Sequence, residues 1–150
     1  MSGGKPARKR RNNFEIVCAA PSVWRGTLFM MKYAAVLFTI FIVLVIILAD
    51  RGLLGPLHFI YDFPYGDKAG HFILYGLLNF FITLASIRSL LRFDPKRVAL
   101  SIGLILALLI GAEEYSQKFV ANRTFDLIDL LAGYIGLVAG GWAALKIKRP

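Results

Sequence analysis

The chain has 150 residues, room for one domain, of which 57% are hydrophobic, and a formal net charge of +9. An apolar fraction this high argues against an ordinary soluble domain of this size. Nor does the basic excess point to nucleic acid, because Lys and Arg lie between and outside four nearly uncharged blocks instead of along one water-facing stripe.

The start, Met1 to Arg11, is polar and basic, carrying Lys5, Arg8, Lys9, Arg10 and Arg11. The first long apolar run begins only near Thr27 and no small-residue cleavage site follows it, so it reads as a retained span and not as a signal peptide. Between them, Asn13 to Lys32 mixes Phe14, Ile16, Val17 and Trp24 with Arg25. Two readings stay open there: an amphipathic stretch along the inner membrane surface, or a loosely attached tail interrupted at Pro21 and Gly26. The single cysteine, Cys18, excludes an internal disulfide and reads as an unpaired thiol on the reducing side.

Four apolar blocks follow: Tyr33 to Ala49, Ala69 to Ile87, Val98 to Ala112 and Leu130 to Leu145. A transmembrane helix needs roughly 20 mostly apolar residues, so each block must draw in a few polar neighbours. The blocks are apolar on all faces, unlike the single stripe of a soluble helical bundle. The outer loop Asp50 to Gly66 carries turn signals at Gly55-Pro56 and Phe63-Pro64. Asp94-Pro95 predicts the start of the third helix, with Asp as N-cap and Pro in the first turn.

Orientation follows from the basic residues. The segment through Lys32 contributes seven, the loop Arg88 to Arg97 four and the tail Lys146 to Arg149 three, which is fourteen on one side. Arg51, Lys68, Lys118 and Arg123 make four on the other. Seven of the nine acids (Asp50, Asp62, Asp67, Glu113, Glu114, Asp126, Asp129) share that second side. Trp24 and Trp142 fall at the first interface, and Tyr61, Tyr65 and Tyr115 at the second. The expectation is an all-α fold: an integral membrane bundle of four transmembrane helices with both termini cytoplasmic. Residues 1–26 form a basic cytoplasmic or interfacial segment and 27–150 the membrane domain.

Arg88, Arg97 and Lys146 mark the cytoplasmic ends of the last three spans. Seventeen residues from each lie His71, Glu114 and Asp129, ~25 Å along the axis and inside a core of ~30 Å. About three residues further come Lys68, Gln117 and Asp126. Ionisable groups in lipid cost at least ~2.5–3.5 kcal/mol each, so they are expected to face inward and pair. Asp67, His71 and Tyr75 share one helical face, which Asn79 continues; Glu114 and Gln117 are at i, i+3, as are Asp126 and Asp129. Arg123, in the connection after Val120-Ala121-Asn122, is placed to reach back to these acids. On the fourth span Gly133, Gly136, Gly140 and Gly141 permit close helix approach, either inside the bundle or as a homo-oligomer face.

At these residues the sequence resembles the VanZ-like family of bacterial membrane proteins. Asp67-Lys68-Ala69-Gly70-His71-Phe72, with Tyr75 beyond, is similar to the family's Asp-Lys-x-x-His signature. Glu114-x-x-Gln117, then Arg123, Asp129, Gly136 and Gly140, is similar to its second signature. The likeness covers about Tyr65 to Gly140, and where the family usually carries Asn this chain has Gly133. The resemblance implies a multi-pass inner-membrane protein of the cell envelope, in a family named for a protein associated with resistance to the glycopeptide teicoplanin.

Three functions are expected to compete. In the first, a polar outer-leaflet pocket of Asp67, Lys68, His71, Tyr75, Glu114, Gln117, Arg123, Asp126 and Asp129 binds or modifies an envelope component among the membrane lipids. That component is a lipid-linked precursor or a glycopeptide, with Lys68 and Arg123 holding an anionic part. In the second, the layer is an intramembrane enzyme whose catalytic candidates are His71 as general base, oriented by Asp67 or Asp129, and Glu114 as partner acid. In the third, the layer only fixes helix register. One His at the site makes a metal a weak expectation, and no cofactor is implied. A proton-coupled transporter is disfavoured, because only Asn79 and Ser101 lie nearer the middle or inner half.

Overall fold

Within lipid no water is present to satisfy backbone N–H and C=O groups, so an uninterrupted apolar chain folds as helix. The structure, a computed structural model, describes residues 22–51, 53, 65–119 and 125–147. They form four helices: α1 (Ser22–Asp50), α2 (Gly66–Ser89), α3 (Pro95–Ser116), which ends in the 3-10 turn Gln117–Phe119, and α4 (Leu127–Lys146). There is no strand among the described residues. Membrane-crossing segments of 20 to 25 residues lie in all four, long enough for a hydrocarbon core of ~30 Å at ~1.5 Å per residue. The chain is a multi-pass membrane protein of all-α fold.

Each helix outruns its apolar block by drawing in polar neighbours. This extension puts Asp67 and Lys68 in the first turn of α2, and Glu113 and Glu114 near the end of α3. The Asp94 side chain accepts the Lys96 N–H at 2.7 Å with Pro95 beside it, the predicted N-cap. Asp126 caps α4 in the same way, accepting from the Ile128 N–H at 2.8 Å. One expectation needs correcting: Gly26 does not interrupt the chain. Helix α1 runs through it, since one glycine costs only about 1 kcal/mol against the bonds of a long helix. Pro21, Cys18, the turns at Gly55-Pro56 and Phe63-Pro64, Tyr61 and the side chain of Trp24 lie outside the described residues.

Helices α2 and α4 are the central pair; α1 packs against α2, and α3 closes on both α2 and α4. All four helices supply the core, through Ile42, Tyr75, Leu78, Leu106, Ile110 and Leu137. The outward faces stay apolar, as Leu104, Leu108, Ile135 and Val138 do, which suits a lipid surround. Lipid removes the hydrophobic drive for helix association, so close packing and buried polar contacts must hold the pair together. A Cβ at Gly136 would meet the Phe72 carbonyl oxygen, and one at Gly140 the Gly76 carbonyl oxygen, both closer than atoms can approach. Those two glycines let the backbones of α2 and α4 touch. Below them Asn79 donates its amide to the Leu137 carbonyl at 2.7 Å and accepts from Thr83 at 2.8 Å, fully buried. The glycine face is thus spent on α2 of the same chain, not offered to a second copy.

Candidate functional site

Because α2 and α4 touch, their first turns meet, and the end of α3 joins them. Lys68 Nζ lies 3.0 Å from Asp126 Oδ2 and 3.0 Å from Asp129 Oδ1, tying α2 to α4 with one cation between two carboxylates. The residue count along the spans had placed Lys68 level with Asp126, and the pairing agrees. Lys68 as the holder of a ligand's anionic group fits the geometry less well. Two intramolecular carboxylates already surround its ammonium, and a phosphate would have to displace one.

Asp126 does two jobs, as N-cap and as ion-pair partner. The Ile128 N–H, and after it the Lys68 ammonium, hold its carboxyl below the usual carboxylate range. A depressed folded value means the contribution to stability is full above the ordinary carboxylate pKa and is lost as pH falls through the folded one. Melting of the purified protein in detergent is therefore expected to move to lower temperature on acidification through that range. Asp126→Asn, which can still cap the helix, should show a shallower dependence. An equally steep one would remove Asp126 as a source.

Glu114 is the most buried acid among the described residues, with 1% of its side chain exposed. One oxygen accepts the Asp126 backbone N–H at 3.0 Å, fastening the end of α3 to the start of α4; the other accepts from Gln117 Nε2 at 3.2 Å. Gln117 uses the same nitrogen toward Glu113 at 3.0 Å, so its two amide hydrogens serve two carboxylates. Glu113 also accepts from the Tyr75 hydroxyl at 3.0 Å. By its place in the sequence Glu113 falls among the outer acids but outside the expected site. Its signal was the i, i+4 spacing to Gln117, masked by the neighbouring Glu114 at i, i+3.

His71 lies at the partly open edge, its side chain 18% exposed. Nδ1 is 2.8 Å from the Asp67 backbone carbonyl, and Nε2 faces Glu114 Oε2 at 3.8 Å. The ring also stands edge-on to Tyr75, with centroids 5.6 Å apart. This alters the expected orientation of the imidazole. What holds the ring is the Asp67 backbone, one turn earlier, and not its carboxylate; that residue is exposed. Asp129 is engaged by Lys68 instead. Gly133 also finds a reason: a Cβ there would lie 2.9 Å from the Tyr75 ring, so the aromatic ring fills the space a larger residue would take. Arg123 lies outside the described residues.

The site thus joins Lys68, His71 and Tyr75 of α2, Glu113 and Glu114 of α3 with Gln117, and Asp126 and Asp129 of α4. No group of three or more His, Cys, Asp or Glu residues is arranged to hold a metal ion among the described residues. Beside the cluster Lys118 rests over the rings of Tyr115 and Phe125, at 4.6 and 4.5 Å, as an interfacial cation on aromatic faces. No protein-family model matches the chain, and neither the curated proteins nor the solved structures give a match.

Proposed function

We propose that the chain is a VanZ-like protein of the bacterial inner membrane, with both termini cytoplasmic, that binds or modifies a polar group of a cell-envelope component at the outer leaflet. The observation that carries this reading is the asymmetry of the polar layer. Lys68, Asp126, Asp129, Glu113, Gln117 and Tyr75 hydrogen-bond one another. His71 Nε2, by contrast, has only the buried Glu114 Oε2 before it, 3.8 Å away and beyond direct hydrogen-bond reach, and the imidazole lies at a partly open edge. A layer serving only packing needs no such gap beside an imidazole. The lipid-linked precursor or glycopeptide expected as ligand would meet His71 first. Lys68 would serve as a positioning residue, since its charge is spent on α4.

The purely structural reading also has an observation in its favour, the bond from Glu114 to the Asp126 N–H that joins two helices. His71→Gln separates the two. Under the binding reading it abolishes glycopeptide tolerance and capture of a lipid-linked precursor in cells that hold the wild-type amount of protein. Full retention of both would leave the layer as a packing device. Arg123→Ala tests the same ligand from the side of the expected anion contact, and is expected to weaken capture.

A further inference from the structure

The neighbours of His71 decide where its protons can be. A backbone carbonyl only accepts, so the 2.8 Å contact with Asp67 O requires the hydrogen to be on Nδ1. In the neutral ring Nε2 is then a bare acceptor, and it faces a carboxylate, which is also an acceptor. A single proton resolves the conflict, carried either by Nε2 or by Glu114. Either way the pair is electrically neutral overall, the least costly condition in a low-dielectric surround.

The groups around the pair are already engaged with one another. Gln117 Nε2 bridges Glu113 and Glu114 on α3, so two carboxyl groups lie side by side there. Lys68 on α2 is shared between Asp126 and Asp129, the Asp67 side chain is exposed, and Tyr75 donates to Glu113. Both oxygens of Glu114 accept a hydrogen bond, Oε1 from the Asp126 N–H at 3.0 Å and Oε2 from Gln117 Nε2 at 3.2 Å, and Oε2 is the one that faces His71 and can carry the proton toward it.

With the proton on Oε2, the edge presents a donor and an acceptor side by side, Glu114 O–H and His71 Nε2. An oxygen at the apex of the triangle they define can sit ~2.8 Å from both. A hydroxyl group accepts from one and donates to the other; an ammonium has donors only, and a phosphate dianion acceptors only. We propose that His71 and Glu114 form a one-proton dyad whose open edge takes a hydroxyl group of the bound envelope component. The choice of ligand rests on the functional reading above; the state of the dyad does not.

Nitrogen NMR of the full chain, labelled with 15N-histidine and reconstituted in bilayer nanodiscs, tests both parts. A His58→Gln variant assigns the His71 signals. The neutral ring is expected as the Nδ1–H tautomer; finding Nε2–H overturns the dyad. Phosphatidylglycerol carries free hydroxyls, whereas phosphatidylmethanol has the same charge and none. The Nε2 signal is expected to shift between the two lipids in wild type, and not in Glu114→Gln. Identical wild-type spectra in both lipids assign the hydroxyl to water and overturn the ligand. The expected tautomer together with an unaffected His71→Gln phenotype would sink the functional reading while leaving the dyad intact.

Discussion

Gly140→Leu is expected to prevent assembly of the bundle, with loss of folded protein from the membrane. A Cβ at this position already meets the Gly76 carbonyl oxygen, and backbone cannot swing aside as a flexible side chain can. The helices must separate, and in lipid no hydrophobic gain restores the contact. Overpacking a tight interior costs typically about 1–3 kcal/mol, and a leucine against backbone belongs at or above the upper end. Separation also withdraws Lys68 from Asp126 and Asp129, and Asn79 from Leu137. Gly136→Leu should behave alike, for the same reason at the Phe72 carbonyl. Gly70→Ala is the control on the same pair of helices: nothing lies within 4 Å of its Cβ, and helix propensity favours alanine by about 1 kcal/mol. Thermal melting in detergent should rank Gly70→Ala at or above wild type and Gly140→Leu far below. Equal melting of the two leucine variants and wild type would remove the glycine crossing as the basis of the fold.

The second large effect is expected at Glu114. Glu114→Ala deletes the acceptor for the Asp126 N–H and one acceptor for Gln117. Each buried polar group left unsatisfied costs about 1–3 kcal/mol, a large fraction of the margin of a small bundle. Glu114→Gln keeps a carbonyl oxygen for the Asp126 N–H and should retain most of that stability. The contrast between alanine and glutamine measures the hydrogen bonds apart from the charge. Were alanine to melt with wild type, the joint between α3 and α4 would lie elsewhere.

Much of the site was legible because depth in a helix is a count of residues. Seventeen positions from Arg88, Arg97 and Lys146 led to His71, Glu114 and Asp129, and twenty led to Lys68, Gln117 and Asp126. The Lys68–Asp126 pairing joins residues of one predicted level. Other partners were not legible, because residues at equal depth have several possible neighbours around the bundle. His71 was expected beside a carboxylate of Asp67 or Asp129 but lies against a backbone carbonyl and Glu114. Glu113 and Thr83 entered the polar contacts only once rotation of α3 and α2 about their axes was known.

Helix number, the Asp94 cap and the segregation of acids from bases were determined by the sequence itself, since each depends on local composition and on the energy of charge in lipid. The approach of α2 to α4 decided the rest. Small residues allow close contact without saying with which helix; backbone touching backbone at Gly136 and Gly140 chose the partner. That choice brought one lysine between two aspartates and left one histidine facing a buried glutamate, an arrangement that depends on distances between helices and not on spacing along any one of them.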